Sequence, residues 1–85
     1  MNPIPQIKRA ALLILDRAGI VPVANDILMR ETVLGVSPKP LESDVENAIS
    51  QLRRDGFIQS ARNPLTDEVT WSLTASGIHQ AISLR

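Results

Sequence analysis

The chain has 85 residues, room for one domain, and a domain of that size buries only about 60 to 65% of the surface its unfolded form exposes. A composition of 44% hydrophobic and 21% charged residues is that of a globular chain rather than a disordered one, and the absence of cysteine excludes disulfide staples, thiolate metal sites and cysteine nucleophiles. Nine basic residues balance nine acidic ones, so bulk charge excludes a strongly basic nucleic-acid binder and leaves any such role to the placement of individual charges.

Phe57 and Trp71 are the only aromatic residues, so Ile, Leu, Val and Ala must supply a thin core, and pairing with a second copy would help stabilise it. No apolar run approaches the roughly 18 residues of a membrane span. The opening Met1-Asn2-Pro3-Ile4-Pro5 lacks the basic region and apolar stretch of a signal peptide. The absence of cysteine is compatible with a reducing compartment, and the cytoplasm is the default expectation.

In chain order, Asn2-Pro3 and Pro5 predict a helix entry, because proline is tolerated in a first turn. Ile7, Ala11, Ile14, Leu15 and Ala18 then recur at helical spacing, and Gly19 stops the helix. Ile20-Val21-Pro22-Val23 reads as an edge-strand stub or an extended connector. Asn25 is expected to cap a second helix over about Asp26 to Leu34, anchored by Ile27, Leu28 and Leu34 and ended by Gly35. Val36-Ser37-Pro38-Lys39-Pro40 is a turn, since two prolines in three positions block a helix.

Ser43-Asp44-Val45-Glu46 matches the S-x-x-E capping box and predicts the start of a third helix, with Pro40 as an earlier alternative start. Its apolar stripe is Val45, Ala48, Ile49 and Leu52, and Asp55-Gly56 closes it. After Gly56 the period changes to that of strands. Phe57 to Ala61 and Val69 to Leu73 form a hairpin around the turn-rich Arg62 to Glu68. Thr74 caps a last helix from Ala75 to about Leu84, with Ile78, Ala81 and Ile82 on one face.

This order of elements resembles the winged helix-turn-helix superfamily of small bacterial, archaeal and phage regulators. Three stretches carry the likeness: Val45 to Ile58 resembles the recognition helix running through a glycine into the first wing strand, Arg62 to Glu68 resembles the wing tip, and Leu73-Thr74-Ala75-Ser76-Gly77 is similar to the L-T-x-x-G step into a last helix. The resemblance implies an α+β single domain over residues 1–85, a three-helix core with a β-hairpin wing and a short C-terminal helix. For function it is open, because the scaffold serves DNA binding, RNA binding and protein docking.

In DNA-binding members the exposed face of the third helix enters the major groove. The resemblance therefore implies base or phosphate contacts at Ser43, Asn47, Ser50, Gln51 and Arg54, joined by Lys39 in the turn and Arg62 at the wing base. Lys8 and Arg9 are further basic residues within the chain's first half. Against this stand Glu42, Asp44 and Glu46 at the end expected to enter the groove. The same acids complement the helix dipole, as Arg53 and Arg54 do at the other end. Asp67 and Glu68 are candidates to pair with Arg62.

His79 is the only histidine, and no cluster has metal-ligand spacing. No phosphate loop, nucleophile elbow or metalloprotease helix occurs, so no cofactor is expected and an enzyme is the least supported class. The partner expected first is double-stranded DNA, the alternative is a protein docking on the acidic start of the third helix, and no membrane role is expected. The apolar C-terminal helix, with Ile78, Ala81, Ile82 and Leu84, reads equally as core closure or as the seam of a homodimer, which would double the DNA contacts.

Overall fold

Helix α1 spans Ile4–Ala18, in a computed structural model that describes residues 2–84; Met1 and Arg85 lie outside the described residues. Asn2 Oδ1 accepts a hydrogen bond from the Ile4 amide at 3.0 Å, satisfying one of the donors that every first turn leaves open. Pro5 occupies that same turn, where a missing N–H removes no helical bond. Ile7, Ala11, Leu12 and Leu15 are buried, with Ile14 packed at the margin of the core. Gly19, at φ +67°, turns the chain out of the helix.

The connector that follows is mostly exposed, and only Val23–Ala24 forms a strand, β1. Helix α2 then runs over Asn25–Leu34. Asn25 does not cap it: Ala24 holds the cap position in an extended conformation without a side-chain bond. The Asn25 carboxamide is used elsewhere, accepting a hydrogen bond from the Trp71 indole Nε1 at 2.9 Å. The expected anchors are also corrected. Leu28 is fully buried, but Ile27 is 41% and Leu34 75% exposed, and the second fully buried position is Thr32. The core face of α2 is Leu28, Met29, Thr32 and Val33, on the opposite side of the helix from Ile27 and Leu34. Gly35 ends α2 as expected, with ordinary right-handed angles.

Helix α3 covers Glu42–Arg54, starting one residue before Ser43, with Leu41 at the cap and no side-chain cap bond. The S-x-x-E box is thus not a capping box here, because Ser43 already lies inside the first turn. The Leu41 carbonyl accepts instead from the Asp44 and Val45 amides. The expected stripe holds: Val45, Ala48, Ile49 and Leu52 are all buried. At the other end Gly56 takes φ +84°, the Phe57 amide donates to the Leu52 carbonyl and the Gly56 amide to the Arg53 carbonyl. This is the Schellman arrangement, and it aims the chain directly into the hairpin.

Strands β2 (Ile58–Arg62) and β3 (Val69–Leu73) pair antiparallel with Ser60 opposite Trp71. The sheet order is β1-β3-β2, with Val23 opposite Trp71 on the other edge. The first wing strand therefore starts one residue later than expected and takes in Arg62, while Phe57 stays in the turn and packs against the core. Trp71, on the central strand, is buried with its indole tied to α2.

Helix α4 spans Ala75–Leu84. Thr74 caps it as expected, its Oγ1 accepting from the Gly77 amide at 3.0 Å while donating to the Gly56 carbonyl. Gly77 lies so close to the Phe57 backbone that a Cβ built there would sit 1.8 Å from the Phe57 carbonyl oxygen. Of the apolar residues expected to share one face, Ala81 is buried together with Gly77, whereas Ile78 and Ile82 are half exposed. α1 sits at the centre of the packing, against α2, α3, α4 and β3.

Candidate nucleic-acid interface

Burying Val45, Ala48, Ile49 and Leu52 determines what α3 shows outward. At about 100° per residue the opposite line is Ser43, Asn47, Ser50 and Arg54, spaced i, i+4, i+7 and i+11. All four are exposed, and they run over about 16 Å of helix. The line thus carries a hydroxyl, a carboxamide, a second hydroxyl and a guanidinium. Gln51, expected to join them, lies to one side and is half-buried.

The charges of α3 separate along its length. Glu42, Asp44 and Glu46 occupy the first half, and Arg53 and Arg54 the last turn. Glu42 and Glu46 are exposed, while Asp44 is partly buried beside a small groove that also takes in Pro3 and Gln6. Two unit charges about 8 Å apart in water interact by roughly 0.5 kcal/mol, so each exposed carboxylate offsets a fraction of a basic contact with phosphate.

A shallow groove of about 680 Å³ runs beside the outward line, bounded by Asn25 and Met29 of α2, Trp71 of β3, and Glu46, Ser50, Arg53 and Arg54 of α3. The Asn25–Trp71 hydrogen bond therefore does more than satisfy two polar groups: it holds the start of α2 against the central strand and keeps one wall of this groove in place. Arg53 belongs to the groove, a position the sequence reading credited only to the helix dipole. Its place one step from Arg54 was the available signal, since adjacent residues on a helix end face directions about 100° apart. Lys39 is exposed in the turn before α3, on the rim of a wider groove shared with Arg30, Leu41 and Glu42.

Arg62 is not part of the helix line. It ends β2 at the base of the wing and pairs with Asp67, Nη2 to Oδ1, at 3.0 Å. Both side chains are more than two-thirds exposed, so the pair is worth under about 1 kcal/mol and opens readily. The loop beyond is ordered by its own bonds. Asn63 Oδ1 accepts from the Leu65 amide at 2.9 Å, the Asn63 amide donates to the Glu68 carbonyl at 2.9 Å, and the Asp67 amide donates to the Asn63 carbonyl at 2.8 Å. Among the described residues no group of three or more acids or histidines is placed to hold a metal ion, and no helix is long and apolar enough to cross a membrane.

Four helices and a three-stranded antiparallel sheet whose β2–β3 hairpin follows the third helix make this a winged helix-turn-helix fold. Solved structures share it. A point mutant of MepR from a multidrug-resistant S. aureus clinical isolate superposes with a TM-score of 0.76 at 15% identity, over 93% of this chain and 54% of that one. A double mutant of Lactococcus lactis ZitR in apo form gives 0.70 at 22% identity, over 94% and 55%. A MarR-like transcription regulator from Bacillus cereus gives 0.67 at 19% identity, over 93% and 52%. The chain spans about half the length of these solved chains, and identities this low establish the fold alone. No family model matches the chain, and no curated protein does.

Proposed function

We propose that this chain is a DNA-binding, regulator-like winged-helix protein that presents α3 and the wing to double-stranded DNA. The observation that carries the reading is the outward line Ser43, Asn47, Ser50 and Arg54, all exposed on a helix whose other face is wholly committed to the core. Asn47 has the carboxamide geometry for paired hydrogen bonds to adenine, and the two serines accept or donate to base edges or phosphate oxygens. Arg54 and Lys39 take phosphates at opposite ends of the helix, with Gln51 along its edge and Arg62 at the wing base. No cofactor and no chemical step enter this function.

A second reading, a protein-docking module, is favoured by Glu42 and Glu46, which put exposed negative charge at the leading end of the same helix. The two diverge on salt. Fluorescence anisotropy on mixed duplex DNA at low and moderate salt should show binding that weakens steeply as salt rises and is largely lost in the Arg54→Ala/Arg62→Ala variant. Folded protein that leaves the duplex untouched at low salt would sink the DNA reading in favour of the protein partner. We also propose that two copies pair through α4, which would set two such helices on one duplex.

A further inference from the structure

Glu46 is left without a structural task. Carboxylates near a helix start complement the dipole, but that effect fades within the first turn, and the acids of that turn in α3 are Glu42 and Asp44. Glu46 lies one turn further in. The capping box that the sequence assigns to it does not form, because Ser43 is already helical and no side chain caps α3. Nor does a cation hold it: among the described residues no ion pair or hydrogen bond engages its carboxylate.

The other two acids of α3 differ from it in place. Glu42 sits on the rim of the groove shared with Arg30 and Lys39, and Asp44 is half-buried beside Pro3 and Gln6. Glu46 is exposed and lines a groove with Ser50, Arg53 and Arg54. At about 100° per residue it stands about 70° to the side of the Ser43, Asn47, Ser50 and Arg54 line, on the flank of Ser50.

On the DNA-binding reading, on which this inference rests, that flank enters the major groove together with the line. A carboxylate taken out of water is strongly unfavourable there unless a donor meets it. Guanine presents two acceptors, N7 and O6, and thymine presents the O4 acceptor and a methyl group, so neither offers a donor. Adenine has its N6 donor beside the N7 acceptor, an edge that suits a carboxamide such as that of Asn47. Cytosine presents its N4 donor with no acceptor beside it, and is the one base edge that suits a carboxylate.

We propose that Glu46 is a specificity-determining residue that reads cytosine: with α3 in the major groove, its carboxylate accepts from the N4 amino group of a cytosine next to the base pair met by Asn47. The charge that weakens attraction to DNA in general then rejects the other bases at one position, so the residue selects chiefly by what it refuses. A chain with nine basic and nine acidic residues gives up sequence-independent affinity in this way and gains discrimination.

The test is selection from a library of duplexes with a randomised centre, at low salt, by wild type, Glu46→Gln and Glu42→Gln, followed by anisotropy titrations of the enriched duplex and its single-base variants. Both glutamates are exposed and the substitutions keep their size, so the fold stays intact, which circular dichroism checks. Wild type should enrich sites with a fixed cytosine, and replacing that base pair should weaken its binding about tenfold. Glu46→Gln should enrich the same flanking bases with the cytosine preference gone or turned to adenine, and replacing the pair should change its binding less than about threefold. Glu42→Gln should tighten binding to every duplex alike and keep the cytosine. Wild type that binds without a fixed cytosine, Glu46→Gln that retains it or loses the whole consensus, or Glu42→Gln that loses it equally, overturns the role of Glu46 and leaves the DNA-binding reading in place. Wild type that binds no duplex at low salt removes that reading, and this assignment with it.

Discussion

Thr32 is a hydroxyl in the wrong solvent. It is fully buried on the core side of α2, and among the described residues its Oγ1 has no hydrogen-bond partner. An unpaired buried hydroxyl costs about 1 to 3 kcal/mol, so Thr32→Val, which keeps the branched shape and removes the orphan, should raise stability by about 1 kcal/mol. A urea melt would read this as a higher midpoint at constant slope, and an unchanged or lower midpoint would mean the hydroxyl is satisfied in solution. Gly77 poses the opposite case, because no space exists for the atom that alanine would add. With a Cβ 1.8 Å from the Phe57 carbonyl oxygen, either the start of α4 or the α3–β2 turn must move, and Gly77→Ala should destabilise by about 3 kcal/mol. Gly35→Ala is the control: its new Cβ would approach nothing closer than 3.4 Å, and it should change stability by less than about 1 kcal/mol. The glycine of the L-T-x-x-G step was visible in the sequence as a pattern. Its reason was not, since a close approach between residues 57 and 77 exists only once the hairpin has folded back.

At the scale of elements, the three helix starts that carried cap signatures behave differently, Ser43 and Thr74 most instructively. Thr74 caps α4 through the Gly77 amide and ties the cap to the Gly56 carbonyl, whereas Ser43 makes no cap bond because α3 begins before it. Thr74→Ala should therefore cost about 1 to 2 kcal/mol and Ser43→Ala less than about 0.5 kcal/mol. Equal losses in thermal or urea melts would restore the capping-box reading. The difference shows which signals reached the fold. The stripe of α3, the alternation of β3 and the Gly56 stop were legible because each is set by local spacing and one buried face. α2 was not, since a ten-residue helix with apolar side chains on two sides offers two candidate faces. Packing against α1 selects the one bearing Thr32, which a reading by polarity assigns to solvent. Asn25 misled for a related reason: its preference for caps is local, and the indole of Trp71, 46 residues away, takes the carboxamide instead.

For the whole molecule, the candidate site follows from the same logic, because the line on α3 is the complement of a buried stripe and was readable from the sequence. Gln51, at the edge of that line, and the groove under Trp71 required the neighbouring elements to be in place. One of the exposed apolar faces is on α4. This helix carries no charged residue over Ala75–Leu84, yet Ile78 and Ile82, one turn apart, are 49% and 53% exposed. A two-fold axis sets each residue near its own copy, so any charge on the contact face meets a like charge, and a face without charge avoids that repulsion. α3 and α4 both pack on α1, so each turns its outer face away from it. Sedimentation equilibrium at tens of micromolar should accordingly give a dimer for wild type and a monomer for Ile78→Asp/Ile82→Asp, with the helical spectrum of the variant unchanged. Dimeric protein should also prefer duplexes with two half-sites about 34 Å apart, and the variant should lose that preference while keeping its affinity for a single half-site. A wild-type chain that sediments as a monomer at about 100 μM, or a dimer that survives both aspartates, would leave α4 as nothing more than the helix that closes the core, and would make the α3 line a one-site reader.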